Sequence, residues 1–466
     1  MSVRILVGDV RERLRDLEPE SVQCVVTSPP YFGLRSYSTE PQVWGGDADC
    51  AHEWIERRYY VEGGGGAQKS GEAFSEPGEA NAQRIKDSRW RDDGLCVKCG
   101  AWMGHLGLEP TLAMFVDHLV AVFRDVRRVL HPTGCVFLNL GDSYNAQPGQ
   151  RKTTDKAGPK QMTNGGSPGT PSRHDANLKP KDLMMVPARV AIALQDDGWY
   201  LRSDIIWAKK NCMPESVTDR PTSSHEHIFL LTKQSRYYWD AEAVRTEATS
   251  VTAKMPDGWD TGSGSHGTFH RNGREKGQRT DKQRGHRRRH DGFNDRWDAM
   301  SKDEQQAGGA NIRNVWHLAT EPFPEAHFAT FPTEIPRRCI KAGTSERGQC
   351  SACGSPWRRV VEREGSEPVY VTGKNVHNGD RNDKGRTKFV GGKSETTGWQ
   401  PSCTCDAGEP TPQTVLDPFA GSGTTLMVAD QLGRHGVGIE LSQEYATMAE
   451  QRVRNDAPMF AEVTTT

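Results

Sequence analysis

In this 466-residue chain, Val415-Leu416 runs into Asp417-Pro418-Phe419-Ala420-Gly421-Ser422-Gly423-Thr424-Thr425, the pattern of a strand, a glycine turn and a helix. Residues 424–432 read as that helix, and Gly436-Val437-Gly438-Ile439 reads as a following strand that ends in Glu440. Glycines 421 and 423 allow backbone and ligand to approach closely. Glu440 follows Asp417 by about 20 residues, the spacing at which a nucleotide-type fold presents a carboxylate to ribose hydroxyls. Two phosphate-binding readings fail on detail. A P-loop needs Lys after its last Gly, where this chain has Thr424, and a dinucleotide fingerprint needs Gly three positions after Gly423, where it has Leu426. A glycine turn without phosphate chemistry fits S-adenosylmethionine, which carries a sulfonium and no phosphate.

Near the other end, an apolar run at 22–26 leads through Thr27 into Ser28-Pro29-Pro30-Tyr31. Pro-Pro marks turns in many proteins, but this turn has a chemistry of its own. Proline fixes φ and donates no backbone hydrogen bond, so the two prolines make a rigid turn whose carbonyls are free to accept. Ser28 Oγ and the Pro29 carbonyl form an acceptor pair suited to the two N–H groups of an exocyclic amine. That amine is a poor nucleophile because its lone pair is delocalised into the ring. Two acceptors favour a pyramidal nitrogen with the lone pair aimed at a methyl donor. Tyr31 adds a ring face on which a base can stack.

Helical periodicity is clearest at 112–129, where Leu112, Phe115, Val116, Leu119, Val120, Phe123, Val126 and Val129 recur at intervals of three and four. A second helix is expected at 186–194. Strands alternating with helices indicate an α/β sheet with helices on both faces. Hydrophobic residues make up 34% of the chain, which is low for this length. The shortfall lies in four polar stretches at 61–94, 145–180, 246–310 and 362–400. Such segments bury too little apolar surface to offset ordering entropy, so they are expected as mobile loops inserted between core strands. No run approaches the about 18 apolar residues of a membrane span, and the N-terminus has no signal-peptide pattern. A soluble, cytoplasmic protein is expected. The net charge of −1 neither favours nor opposes nucleic acid, since local charge governs a binding cleft.

Eight of the metal-type ligands fall into two sets. Cys50-x-His52 pairs with Cys96-x-x-Cys99, and Cys350-x-x-Cys353 pairs with Cys403-x-Cys405. Each Cys-x-x-Cys is followed by Gly, where a compact turn lets backbone amides face thiolate. Four N/S ligands per set suit a closed, structural tetrahedral zinc, and disulfides do not fit an intracellular chain. Cys24, Cys135, Cys212 and Cys339 read as packing residues. Residues 271–289 hold nine Arg or Lys against two acidic residues. From charge alone this is a solvated run, though its Arg and Lys are residue types that contact phosphate and guanine. His225 and His227, on an expected half-buried strand, read as satisfied core residues rather than catalysts.

Taken together, these segments resemble the beta class of DNA amino-methyltransferases, in which the catalytic motif precedes the cofactor motif. Residues 5–9 resemble that family's N-terminal strand, whose acidic residue, here Asp9, sits near the cofactor adenine. Residues 134–142 resemble its next core strand, and 225–231 the segment lining the target-base pocket. Phe331-Pro332, ahead of a helix from Glu334, resembles the element that closes over the methionine end of the cofactor. Thr27 before Ser28-Pro29-Pro30-Tyr31 resembles the cytosine-N4 branch more than the adenine-N6 branch, where Asp or Asn usually replaces Ser. The fold implied is a Rossmann-like adenosylmethionine-dependent methyltransferase sheet, circularly permuted in motif order, with zinc-clipped insertions.

The organisation expected is a catalytic core at 1–44, 106–240 and 409–466. Candidate zinc insertions occupy 45–105 and 345–408, a target-recognition insertion occupies 241–315, and the cofactor-closing helix lies within 316–344. The resemblance implies catalysis by Ser28, Pro29, Pro30 and Tyr31 on double-stranded DNA. It implies cofactor contacts from Asp9, Phe331, Asp417, Phe419, Gly421, Gly423 and Glu440, and a possible cognate restriction nuclease. An adenine-N6 enzyme, an RNA or protein-amide methyltransferase of the same fold, and a zinc DNA-binding protein without catalysis are the competing readings. Cytosine-C5 chemistry is excluded, because its attacking thiolate normally sits in a Pro-Cys dipeptide and the chain has none.

Overall fold

Strand β5 (Leu130–Leu140) shows how the two sides of the molecule are built. Val136, Leu138 and Leu140 alternate with Cys135, Phe137 and Asn139, and a strand sends successive side chains to opposite faces. The first set joins a cluster with Leu14 of helix α1 (Val10–Arg15), Phe115, Leu119 and Phe123 of α2 (Leu112–Val129), and Val190 of α3 (Val186–Asp196). On the opposite face, a Cβ at Gly343 of α4 (Glu334–Gly343) would lie 2.6 Å from Cys135 Sγ and 3.0 Å from Cys24 Sγ. Helix α4 packs beside α5 (Thr424–Gln431), which packs beside α6 (Gln443–Asp456). The helices therefore cover both faces of the sheet, three on each, among the described residues. The expected packing role of Cys24, Cys135 and Cys339 fits their full burial.

The computed structural model describes residues 2–33, 39–54, 94–145, 175, 177–212, 214–215, 217–246, 310–321, 331–364, 368–371, 386–389, 393–406, 408–457 and 462–466. The basic segment 271–289 and most of the polar stretches at 61–94, 145–180 and 246–310 lie outside them. Two compact units are distinguished. One comprises 1–240, 313–357 and 401–466; the other comprises 241–312 and 358–400.

The first unit holds a nine-stranded sheet. Its further strands are β1 (Ser2–Val7), β2 (Val22–Thr27), β6 (Tyr200–Lys209), β7 (His225–Thr232), β8 (Val315–Leu318), β13 (Thr414–Asp417), β14 (His435–Glu440) and β15 (Glu462–Thr465). Their order is β15-β1-β14-β13-β2-β5-β7-β6-β8. Strands β15 through β5 in that order run parallel, and β7 is antiparallel to both β5 and β6. A short antiparallel ribbon, β3 (Gln42–Trp44) with β4 (Trp102–Gly104), stands apart from the sheet. The expected helix at 112–129 is present with those bounds, its N-terminus capped by Thr111. Among the described residues no helix is long and apolar enough to cross a membrane.

One expectation needs correction. The stretch 362–400 is not a structureless loop. In the second unit β12 (Lys393–Pro401) pairs with β9 (Trp357–Glu364), and β10 (Pro368–Val371) pairs antiparallel with β11 (Arg386–Phe389). Val360-Val361 and Thr396-Thr397 supply β-branched residues that suit paired strands despite the low apolar content. Arg359 lies 4.4 Å over the Trp399 ring and bonds Thr396 Oγ1 at 2.9 Å, replacing apolar burial with a cation–π contact.

Candidate functional site

In a parallel sheet flanked by helices, ligands sit outside the carboxyl ends of the strands. Here that edge presents, strand by strand, Asp9 after β1, Glu440 on β14, Asp417 on β13, Ser28 after β2, Asn139 on β5, Glu226 on the incoming β7 and Lys209 on β6. The two motifs that lie at opposite ends of the sequence are thus carried by neighbouring strands, β13 and β2.

A buried hydrogen bond joins them. Thr27 Oγ1 donates to Asp417 Oδ1 at 2.7 Å, and the same oxygen accepts from the Phe419 N–H at 3.1 Å. Thr425 Oγ1 donates to the Val26 carbonyl at 3.2 Å, a second tie between helix α5 and β2. Burial pushes the Asp417 carboxyl up to about 6, against the opposing pull of its Thr27 and Phe419 donors. Asp417 thus sets the shape of the glycine turn and fixes it to the residue that precedes Ser28.

The turn is closed by Glu440. Its Oε2 accepts from the Gly421 N–H at 2.8 Å and its Oε1 from the Ser442 N–H at 2.9 Å. Burial raises its pKa as well. The two glycines differ in what they are for. Gly421 has φ +51, and a Cβ there would meet nothing closer than the Phe419 carbonyl at 4.0 Å, so the space above it is open. Gly423 has φ +76, and a Cβ there would lie 2.8 Å from Ala449 Cβ, so this glycine lets α6 pack against the turn. Asp9 caps α1 through the Arg11 N–H at 2.8 Å and is clasped by the Arg11 guanidinium at 2.5 and 3.0 Å. Phe331 is half-buried, two residues before the Thr333 cap of α4.

Around Ser28–Tyr31 the structure gathers residues that sequence reasoning did not assign. The Tyr31 hydroxyl donates to Glu226 Oε2 at 2.7 Å and accepts from Asn139 Nδ2 at 2.8 Å and Ser28 Oγ at 3.1 Å. Asn139 Nδ2 also donates to Glu226 Oε2 at 2.8 Å, and Lys209 Nζ bonds Glu226 Oε1 at 2.5 Å. Asn139 is 3% exposed. A polar residue within the apolar run 135–140 was the signal that could have found it, since a buried amide is costly without partners. Glu226 and Lys209 carried no such signal, because pairing across β6 and β7 is visible only in the fold. His227 turns to the other face, bonds Asp204 at 3.0 Å and stacks on Phe229, in keeping with a structural histidine.

Behind the turn stands a buried support. Gly107 packs on it closely enough that a Cβ would lie 2.9 Å from the Tyr31 carbonyl, and the Gly107 carbonyl accepts from the Gly33 N–H. The Gly107 N–H donates to Glu109 Oε2 at 2.7 Å, and Glu109 Oε1 bonds His118 Nδ1 at 3.0 Å. The His118 ring stacks on Trp44 of β3 and Trp102 of β4.

That ribbon leads to the first cysteine set. The ligand atoms of Cys50, His52, Cys96 and Cys99 lie within 4.8 Å of one another, as do those of Cys350, Cys353, Cys403 and Cys405. Cys50 Sγ is 4.0 Å from Cys96 Sγ, and Cys99 Sγ is 3.4 Å from His52 Nδ1. A tetrahedral zinc with Zn–S near 2.3 Å separates its ligand atoms by about 3.8 Å, so the donor set fits. Both knuckles turn alike. Gly100 (φ +72) donates to the Cys96 carbonyl and Gly354 (φ +71) to the Cys350 carbonyl, each at 2.9 Å. Burial opposes ionisation of Cys96, but backbone donors from Cys99 and Glu53 and the His52 side chain outweigh it, drawing the thiol down to about 5.

The sequence signature of a DNA methylase family of the N6/N4 type matches residues 22–350 and 406–451. The Type II methyltransferase M.SmaI of Serratia marcescens is 32% identical over 97% of this chain and 91% of its own length. The Type II methyltransferase M.Cfr9I of Citrobacter freundii is 30% identical over 96% of this chain and 87% of its own. Among solved structures, PvuII DNA methyltransferase (cytosine-N4-specific) aligns with a TM-score of 0.40 and 13% identity, over 98% of this chain and 92% of that one. The match to the family signature takes in both the Ser28–Tyr31 turn and the Asp417–Glu440 loop, and on that match the chain belongs to the DNA methylase family.

Proposed function

We propose that this protein is an S-adenosylmethionine-dependent methyltransferase acting on an exocyclic amino group of a base in double-stranded DNA, with cytosine N4 as the target. The observation that carries the reading is the Thr27–Asp417 bond, which joins the amine-binding turn to the glycine turn on the next strand. Glu440, Phe419, Gly421, Gly423 and Asp417 form or shape the cofactor seat, and Asp9 and Phe331 are assigned to its adenine and methionine ends by resemblance. When bound, S-adenosylmethionine supplies the methyl group. Ser28 Oγ and the Pro29 carbonyl hold the two amine N–H groups. Pro30 stiffens the turn, and the Tyr31 ring supports a base swung out of the stack. The rate advantage comes mainly from this positioning, and the proton leaves afterwards to solvent. Serine at position 28 favours cytosine over adenine, where Asp or Asn is usual.

The motif order, catalytic turn before cofactor loop, is read as a circular permutation of the methyltransferase sheet. Its relatives are named as Type II methyltransferases, which supports site-specific modification beside a cognate restriction nuclease in the cytoplasm. Residues 271–289 are assigned to target recognition from their place between the base-pocket segment and the cofactor loop, where the resembling enzymes carry that region, with Arg and Lys as the contacting groups. Methyl-labelled S-adenosylmethionine offered with duplex DNA, RNA or protein tests the substrate class. Label should enter DNA alone, and label in RNA or protein only would favour the competing members of the fold.

Both cysteine sets are assigned structural zinc, each clasping chain segments far apart in sequence where loop closure is entropically costly. Metal analysis of gently purified protein should give about two zinc ions per chain. Cys99→Ser should remove one and Cys405→Ser the other. Folded, active protein without zinc would show that the cysteines only pack.

A further inference from the structure

The hydrogen bonds around Tyr31 have a direction that their partners impose. Lys209 can only donate, and it takes Glu226 Oε1 at 2.5 Å. The Glu226 carboxylate can only accept, so the Tyr31 hydroxyl must give its proton to Oε2. The Tyr31 oxygen then accepts from Asn139 Nδ2 at 2.8 Å and from the Ser28 hydroxyl at 3.1 Å. The Asn139 amide cannot be turned round, because its oxygen would face the carboxylate it now donates to at 2.8 Å. At the end of the chain the Ser28 proton is committed to Tyr31, and Ser28 Oγ shows only lone pairs to whatever enters the site.

We propose that Glu226, oriented by Lys209, is a positioning residue that makes Ser28 a pure hydrogen-bond acceptor for the amino group of the target base. The proposal rests on the methyl-transfer reading above and adds residues that reading did not use. A free serine hydroxyl can turn its proton toward an incoming N–H and oppose it. The ordered chain removes that orientation before the base arrives, and successive bonds along it polarise one another. Both Glu226 and Lys209 are largely buried, with side chains 13% and 24% exposed, so the chain is shielded from competing water. No other charged side chain is recorded in hydrogen-bond contact with Glu226 among the described residues.

The test uses four variants of the full chain with duplex DNA and S-adenosylmethionine: Glu226→Gln, Tyr31→Phe, Tyr31→Phe/Glu226→Gln and Lys209→Met/Glu226→Gln. In Glu226→Gln, Lys209 still demands an acceptor, so the amide oxygen faces Lys209 and the amide NH2 faces Tyr31. The chain then reverses and the Ser28 proton points at the substrate. Turnover should fall about tenfold or more, while KM for DNA and cofactor stays within about twofold. In a Tyr31→Phe background the same Glu226→Gln change should have no further effect, because Glu226 acts only through the lost hydroxyl. In Lys209→Met/Glu226→Gln the amide is free to turn its oxygen back to Tyr31 and Asn139, and turnover should recover at least about threefold over Glu226→Gln. The double variant also removes the half-buried cation whose carboxylate counter-charge is lost in Glu226→Gln, which could keep that variant from folding. An equal loss in both tyrosine backgrounds, or no recovery with Lys209→Met, would overturn the proposal. A parent enzyme that transfers no methyl to DNA would instead sink the reading beneath it.

Discussion

Replacing Ser28 by Ala should lower turnover roughly tenfold to a hundredfold while DNA affinity barely changes. The hydroxyl is the proposed partner of the Pro29 carbonyl in accepting from the amino group, and a hydrogen bond of this kind to a polarised partner is worth about 1.5–3 kcal/mol. Replacing Tyr31 by Ala should cost more and in a different way. It removes the stacking face, worth about 1–3 kcal/mol per base. It also leaves Glu226 Oε2, Asn139 Nδ2 and the Ser28 hydroxyl without the group that organises them. Turnover and retention of the flipped base should fall together. A fluorescent base analogue at the target position separates the cases, with its unstacking signal kept in Ser28→Ala and reduced in Tyr31→Ala. Parent-rate methylation by both variants would reduce Ser28–Tyr31 to an ordinary turn.

The cofactor seat should respond as strongly to a side chain at position 421. Gly421→Val puts a branched side chain into space that the protein leaves open. The left-handed φ costs about 1–2 kcal/mol of stability, but binding of S-adenosylmethionine should weaken by about a hundredfold or more, about 2.7 kcal/mol. Gly423→Ala makes the contrast. Its Cβ would meet Ala449 Cβ at 2.8 Å and Ala449 Cα at 3.1 Å, so it should destabilise the fold by about 1–3 kcal/mol through overpacking. Calorimetric titration and thermal unfolding of the two variants read these effects apart. Unchanged cofactor affinity in Gly421→Val would show that this turn does not hold the ligand.

How much of this was legible in the sequence follows from what each signal depends on. The helix at 112–129 was visible because one amphipathic face is a local property, and its buried Phe115, Leu119 and Phe123 are those the periodicity marked. The two cysteine sets were legible because a tight knuckle fixes two ligands at short range; the structure brings the distant halves together. The Ser28–Tyr31 and Asp417–Gly423 turns were legible because glycines and prolines constrain the backbone directly. The Lys209–Glu226–Tyr31 chain could not. Its members come from two strands, β6 and β7, and the turn after β2, brought together by a mixed sheet order, and charged residues at strand ends are common on any surface. The support from Glu109 and His118 was hidden for the same reason, since a buried carboxyl is distinguishable from a solvated one only once the fold has enclosed it, here beside a His118 ring stacked on Trp44 and Trp102. The strands at 393–401 and 357–364 are hidden in the sequence because their low hydrophobic content gives no sign of the ladder pairing and cation–π stacking that order them.

The Ser28–Tyr31 turn is proposed to present an exocyclic amine of a DNA base, cytosine, for direct methylation. Duplex DNA incubated with the purified protein and S-adenosylmethionine, then digested to nucleosides and separated by mass spectrometry, tests it most directly. N4-methylcytosine should be the product, absent from a Ser28→Ala/Tyr31→Ala control. N6-methyladenine alone would contradict the assignment of cytosine, and DNA recovered without any methylated amino group would contradict the account as a whole.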